Sequence, residues 1–297
     1  MTSFALLAGP GAPSLAAQAP HIEILGERLR TALAEAALSA PGVLGARVID
    51  IRTGTSFGVN DTLVFPQGSA IKVAILVELF RREEAGDLRL ADRLPVRKAD
   101  QVAGSGLLQR FSDGTSELSL NDLAVMMIVL SDNTATNMLI DRLGMERVNA
   151  AMSALGLPSI RLQRKMIQPK ESAAGRENVA TARDAASLMV HIAKCELPMS
   201  RERCAALRRI LEIPKGGPIV ASVAPGTPVA WKPGGITGVS TYWGLVGLDD
   251  RPYAIAAMVN YSTDGDRTAA VLRQVADAAW AYFSALDHAT PHGTRVR

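Results

Sequence analysis

Long apolar runs, metal-ligand clusters and a strong imbalance of charge are all missing from this 297-residue sequence. No stretch reaches the roughly 18 apolar residues that a membrane-spanning helix needs, so no membrane partner is expected. The four histidines, His21, His191, His288 and His292, are scattered, and neither CxxC nor HExxH occurs. No metal site is therefore expected, and no cofactor. Net charge is only +3, with basic residues beside acidic ones, as in Arg81-Arg82-Glu83-Glu84. That reads as a solvated mixed surface and not as a nucleic-acid footprint.

Cysteine is nearly absent too. Cys195 and Cys204 flank a Pro-containing break between two expected helices. Their spacing permits a disulfide without arguing for one, and the expectation is two packed thiols. Residues 1–20 are rich in Ala, Gly and Pro but lack the basic start of a secretory signal, and Gly9-Pro10-Gly11 interrupts the short apolar run. They read as a flexible leader. The corresponding expectation is a soluble protein, cytoplasmic rather than periplasmic or secreted.

What remains is an ordinary globular composition, 48% apolar and 21% charged, on a chain long enough for a sizeable core. Residues 21–40 carry the 3.6-residue apolar period of an amphipathic helix. Val43–Ile51 and Thr55–Val59 read as strands around a turn at Arg52-Thr53-Gly54. From 65 to 213 the pattern is helical, broken by Gly, Pro, Asn and Asp; the helices expected at 70–80 and 119–130 are apolar on nearly every face and belong at a centre. Strands return at Ile219–Val223, Pro228–Lys232, Val239–Leu248 and Tyr253–Asn260, before a last helix from Arg267 to Leu286. The expected fold is α/β: an antiparallel sheet subdomain from 21–64 and 214–297, flanked by helices, and an inserted all-α subdomain from 65–213. A cleft lies where the two meet.

Three short motifs stand out. In Phe65-Pro66-Gln67-Gly68-Ser69-Ala70-Ile71-Lys72, Pro66 and Gly68 break the chain just before a helix, so Ser69 falls in its first turn. Lys72 follows three residues later on the same face, within reach of the serine hydroxyl. A serine needs an adjacent base to become a nucleophile, and a desolvated lysine can lose its proton and serve. The second motif, Ser131-Asp132-Asn133, follows the apolar helix and caps the next one, leaving a hydroxyl, a carboxylate and an amide at the edge of the core. The third, Trp231-Lys232-Pro233-Gly234-Gly235-Ile236-Thr237-Gly238, ends a strand and opens into Gly-rich backbone that a ligand can approach.

In this order and at these separations, the three motifs resemble the S-x-x-K, S-D-N and K-T-G set of serine β-lactamases and penicillin-binding proteins. The spacing is similar to the class A β-lactamase branch over roughly 21–286. The resemblance implies a five-stranded antiparallel sheet flanked by helices with a helical insertion, and a serine hydrolase that acylates Ser69. Lys72 would be its base, Ser131 would pass the proton to the leaving group, Asn133 would orient the acyl amide, and Lys232 would set the electrostatics around Ser131. The backbone N–H groups of Ser69 and Gly235 would form the oxyanion hole. The implied partner is a small-molecule β-lactam, ester or amide.

Two departures from the family pattern matter. Pro233 replaces a Thr or Ser, removing a hydroxyl that helps bind the substrate carboxylate, and Thr237 is the candidate to replace it. In the stretch Arg161–Pro169, Met166 aligns with the glutamate that activates the deacylating water. Glu171 and Glu177 are the nearby carboxylates and read as exposed loop residues, while Thr181 reads as the N-cap of the following helix. Acylation is thus well equipped and deacylation is not. The implied activity is β-lactamase-like with weak deacylation, the alternatives being a penicillin-binding or D-alanyl-peptidase-like enzyme, an esterase, or a non-catalytic ligand-binding homologue.

Overall fold

The computed structural model describes residues 19–287, with the backbone of 289–290 and 293–294. Of the expected leader, residues 1–18 lie outside the described residues, as do His288 and His292. In chain order the elements are α1 (Ala19–Ser39), β1 (Val43–Asp50), β2 (Ser56–Val59), β3 (Val64–Pro66), α2 (Lys72–Glu84), β4 (Arg93–Pro95), β5 (Glu117–Ser119), α3 (Leu120–Val129), α4 (Asn133–Leu143), α5 (Met145–Ala154), α6 (Pro169–Ala173), β6 (Val179–Thr181), α7 (Ala182–Lys194), α8 (Arg201–Glu212), α9 (Pro218–Ser222), β7 (Val229–Ile236), β8 (Val239–Val246), β9 (Tyr253–Asn260) and α10 (Gly265–Asp287).

Five strands form one antiparallel sheet in the order β2-β1-β9-β8-β7. The middle strand β9 shows how the layers arise. Its side chains alternate between faces: Ile255, Ala257 and Val259 join a core with Leu29 and Leu33 of α1 and Val275 and Phe283 of α10. Ala254, Ala256 and Met258 join a second core with α2, α3, α4 and α7. Both faces are covered, so β9 is apolar throughout.

The second core is built around α2. Every residue from Lys72 to Phe80 is buried, and full burial of each Val, Leu, Ile or Phe contributes about 1.5–3 kcal/mol. Even Glu78 is fully buried there, held by Arg81 Nε at 2.7 Å and Nη2 at 2.8 Å. Helix α3 starts where Ser119 accepts from the Asp122 N–H, and α7 where Thr181 accepts from Asp184, the cap expected of it. Among the described residues no helix is long and apolar enough to cross a membrane.

Three expectations are corrected. Ile219–Val223 is not a strand: Pro218 opens the short helix α9, whose Ile219 is buried in the α10-side core. A run of five residues, four of them apolar, has too little periodicity to separate the two states, and Pro at the first helical position tips it. The strand containing Lys232 does not end there but continues through Pro233, Gly234 and Gly235 to Ile236. It lies at the sheet edge, where a missing N–H costs no ladder bond. Finally, Cys195 and Cys204 form a disulfide rather than packing as thiols, their Cα atoms 5.7 Å apart. Cys195 takes the left-handed conformation that ends α7 and turns its chain back toward α8.

Candidate active site

The first motif is a tight knot. After β3, Gly68 adopts φ +49° and a single 3₁₀ turn, Gly68–Ile71, leads into α2. A Cβ on Gly68 would lie 2.7 Å from the backbone nitrogen of Gly235, so only glycine lets β7 approach the nucleophile turn this closely. Gln67, fully buried, holds the turn from the other side. Its Nε2 donates to Phe65 O (2.9 Å) and Ala180 O (3.2 Å), and its Oε1 accepts from Trp243 Nε1 (2.9 Å). Its backbone O accepts from Thr241 Oγ1 at 3.0 Å. Sequence reasoning passed over Gln67, because nothing in a single chain marks a glutamine as a core anchor.

The structure brings four of the expected residues together. Lys72 Nζ donates to Ser131 O (2.7 Å), Ser131 Oγ (3.1 Å) and Asn133 Oδ1 (3.0 Å). Lys232 Nζ reaches the same Ser131 Oγ at 3.1 Å, and Pro233 O at 2.9 Å. Both lysines are buried. Burial, then the like charge of Lys232, holds Lys72 well below the ordinary lysine range, against an opposing pull from Asp132. Burial, then Lys215, pushes Lys232 down to about 7.

Ser69 is half-buried at the start of this helix, and among the described residues its hydroxyl has no hydrogen-bond partner. The lysine expected beside it is instead turned onto the second motif, its amine nitrogen within hydrogen-bond distance of Ser131 O, Ser131 Oγ and Asn133 Oδ1. Ser131 itself sits at φ +53°, a strained conformation for a non-glycine residue. Asp132 fixes it: the buried carboxylate accepts from the N–H groups of Ala135 (2.9 Å), Leu107 (2.7 Å) and Leu108 (2.9 Å). Those three donors occupy the carboxylate in scaffolding.

Gly235 pairs with Ser240 within β7–β8, and Pro233 with Tyr242. Because Pro233 has no N–H, its nitrogen can face the open edge of the sheet, and alternation turns the Gly235 N–H the same way, toward the Ser69 turn. Thr237 lies in the exposed tip of that hairpin, four residues beyond Pro233 and thus roughly 13 Å along the strand.

The loop carrying Met166 is closed by reciprocal backbone bonds between Arg161 and Val179, both 2.9 Å. Asn178 Oδ1 accepts from the N–H groups of Gln163 and Arg164, and Arg164 Nη2 pairs with Glu177 at 2.8 Å. Glu171 pairs with Arg176. Each of these carboxylates therefore has a cationic partner within its own loop. Met166 is buried, its backbone clamped by Asn137, whose Oδ1 accepts from Met166 N (2.8 Å) and whose Nδ2 donates to Met166 O (3.1 Å).

The match with a known family spans this whole arrangement: residues 28–283 fit the model of the beta-lactamase enzyme family. The chain belongs to that family. A beta-lactamase of Rhodobacter capsulatus is 35% identical over 165 residues, covering 53% of this chain and 55% of that protein. The chain spans about half the length of the first curated relatives it matches. Among solved structures, a beta-lactamase from Sphaerobacter thermophilus superposes with a TM-score of 0.79 at 29% identity, covering 87% of this chain and 97% of that one. PBP-A gives 0.78 at 27% identity, covering 93% and 98%. A leucine-to-glutamate variant of PBP-A, described as an acyl-enzyme complex with penicillin G, gives 0.78 at 28% identity, covering 88% and 97%.

Proposed function

We propose that this protein is a serine hydrolase that forms an acyl-enzyme on Ser69 from a β-lactam, ester or amide and releases it slowly. The observation that carries the reading is the convergence of two buried lysines on one hydroxyl, Ser131 Oγ, at 3.1 Å each. A buried lysine is costly without a use, and two facing one serine make a proton path.

In this scheme Ser69 Oγ attacks the carbonyl carbon while its proton passes to a neutral Lys72 amine. The C–O⁻ intermediate is held by the Ser69 and Gly235 N–H groups, each donor supplying on the order of 3 kcal/mol. Ser131 then delivers a proton to the leaving nitrogen or oxygen as the C–N or C–O bond breaks. Lys232 stabilises the hydroxyl's developing charge, and Asn133 orients the acyl side.

Release of the acyl group requires an activated water. The buried thioether of Met166 cannot accept a proton, and Glu171 and Glu177 are engaged by arginines. That absence of a base favours the long-lived acyl-enzyme of a penicillin-binding protein over rapid β-lactamase turnover. The penicillin G adduct described for a PBP-A variant makes β-lactams the natural first probes. The Cys195–Cys204 disulfide supports residence in an oxidising compartment in preference to the cytoplasm.

The test is intact-mass spectrometry with penicillin G and nitrocefin, alongside steady-state nitrocefin hydrolysis. The expected result is a stable adduct that Ser69→Ala abolishes, with slow turnover. Rapid Ser69-dependent turnover would refute the deacylation claim. No adduct with β-lactams or activated esters would refute the catalytic one and favour a ligand-binding homologue.

A further inference from the structure

We infer that a second ligand site lies on the far face of β7 from Ser131, built for a small carboxylate with an apolar body that pairs with Lys215 and Trp231. It goes beyond acyl transfer and does not depend on it.

A cavity of about 550 Å³ opens between the end of α8, the short helix α9 and the start of β7, within the size range of small-molecule sites. Pro214, Val220 and Val229 supply apolar walls, while Lys215, Trp231 and Glu212 supply the polar groups. Alternation along β7 separates this cavity from the acyl-transfer side chains. Ala230 joins the core around α2, and Lys232 reaches Ser131 on that side. Trp231, between them, belongs to the core on the other side.

Two donors here lack the acceptor that would complete them. The Trp231 side chain is buried, and among the described residues its Nε1 has no hydrogen-bond partner. A buried N–H left in that state is costly, and such groups are rare in a folded protein. The indole is held in place by its neighbours: a Cβ on Gly217 would lie 2.0 Å from Trp231 Cη2, so only glycine lets the loop close over the ring. Lys215 Nζ donates to Leu211 O at 2.7 Å and Ile213 O at 2.8 Å, both neutral carbonyls. No carboxylate pairs with it among the described residues. Burial brings Lys215 down to about 8, which leaves it charged at neutral pH. Glu212, the acid on the cavity wall, is engaged by Arg208 at 3.1 Å. A desolvated cation without a counter-ion, beside a buried N–H without an acceptor, calls for an anionic acceptor. The apolar walls call for an apolar body behind it.

Naphthoate and its neutral amide share a shape and differ in charge, so their titration into the protein at pH 7 by calorimetry tests this. The expected result is one naphthoate per chain, bound at least about tenfold more tightly than the amide through its charge-assisted contacts. Lys215→Met should abolish that preference while leaving the amide's affinity unchanged. Val220→Trp, at a partly exposed position, should fill the cavity and abolish binding of both. Lys232→Met, altered on the opposite face of β7, should keep both the binding and the preference. No binding by the wild type, equal affinity for acid and amide, or undiminished binding in Val220→Trp overturns the inference. Loss of binding in Lys232→Met overturns it as well, by placing the ligand in the acyl-transfer cleft.

Discussion

Replacing Lys232 by methionine should stabilise the fold at neutral pH and destabilise it at alkaline pH, while abolishing efficient acylation. Unfolded, Lys232 titrates at the ordinary 10.5; folded, burial and Lys215 bring it down to about 7. Between those values the unfolded chain binds more protons than the folded one, so the wild type gains stability as pH rises, by about 1.4 kcal/mol per unit. Below pH 7 both states are protonated, and the full cost, about 5 kcal/mol, is felt. Methionine removes that cost but loses the hydrogen bonds to Ser131 Oγ and Pro233 O, roughly 1 kcal/mol each. The net expectation is a gain of about 3 kcal/mol below pH 7, a crossover near pH 9, and a loss of about 2 kcal/mol by the unfolded pKa. Urea denaturation of both proteins from pH 6 to pH 10 measures this difference directly. A difference that stays constant over that range would refute the claim that the fold lowers the pKa of Lys232.

Met166→Glu should shorten the lifetime of a penicillin G adduct by about 100-fold or more, the usual contribution of a positioned base, as followed by intact mass over time. It should also lower thermal stability, since a carboxylate would replace a buried thioether. Gly68→Ala should slow acylation by about 100-fold while leaving the protein folded, because the new methyl must push Gly235 out of line. Stopped-flow acylation rates and circular dichroism would check the two halves. Reducing the Cys195–Cys204 bond, or replacing both cysteines by serine, should cost about 2–3 kcal/mol for so short a loop, readable as a lowered Tm in dithiothreitol.

Local pattern determined much of this protein. The order of strands and helices, the two flanking layers and the three motifs follow from apolar periodicity, turn residues and spacing, all of which act between near neighbours. So did the suspicion about Lys72, because a lysine inside an apolar helix is anomalous in any fold. Tertiary structure decided the rest. The Ser69–Lys72 pair was read as one unit on a helix face, yet packing of α4 against α2 turns the lysine onto Ser131 and Asn133. Gln67 and Asn137 carry no local signature, since their roles lie in groups more than a hundred, or about thirty, positions away. The edge strand that admits Pro233 is likewise set by the assembled sheet. Periodicity specifies which face of an element is buried, but only the assembled fold specifies what each buried polar atom meets there.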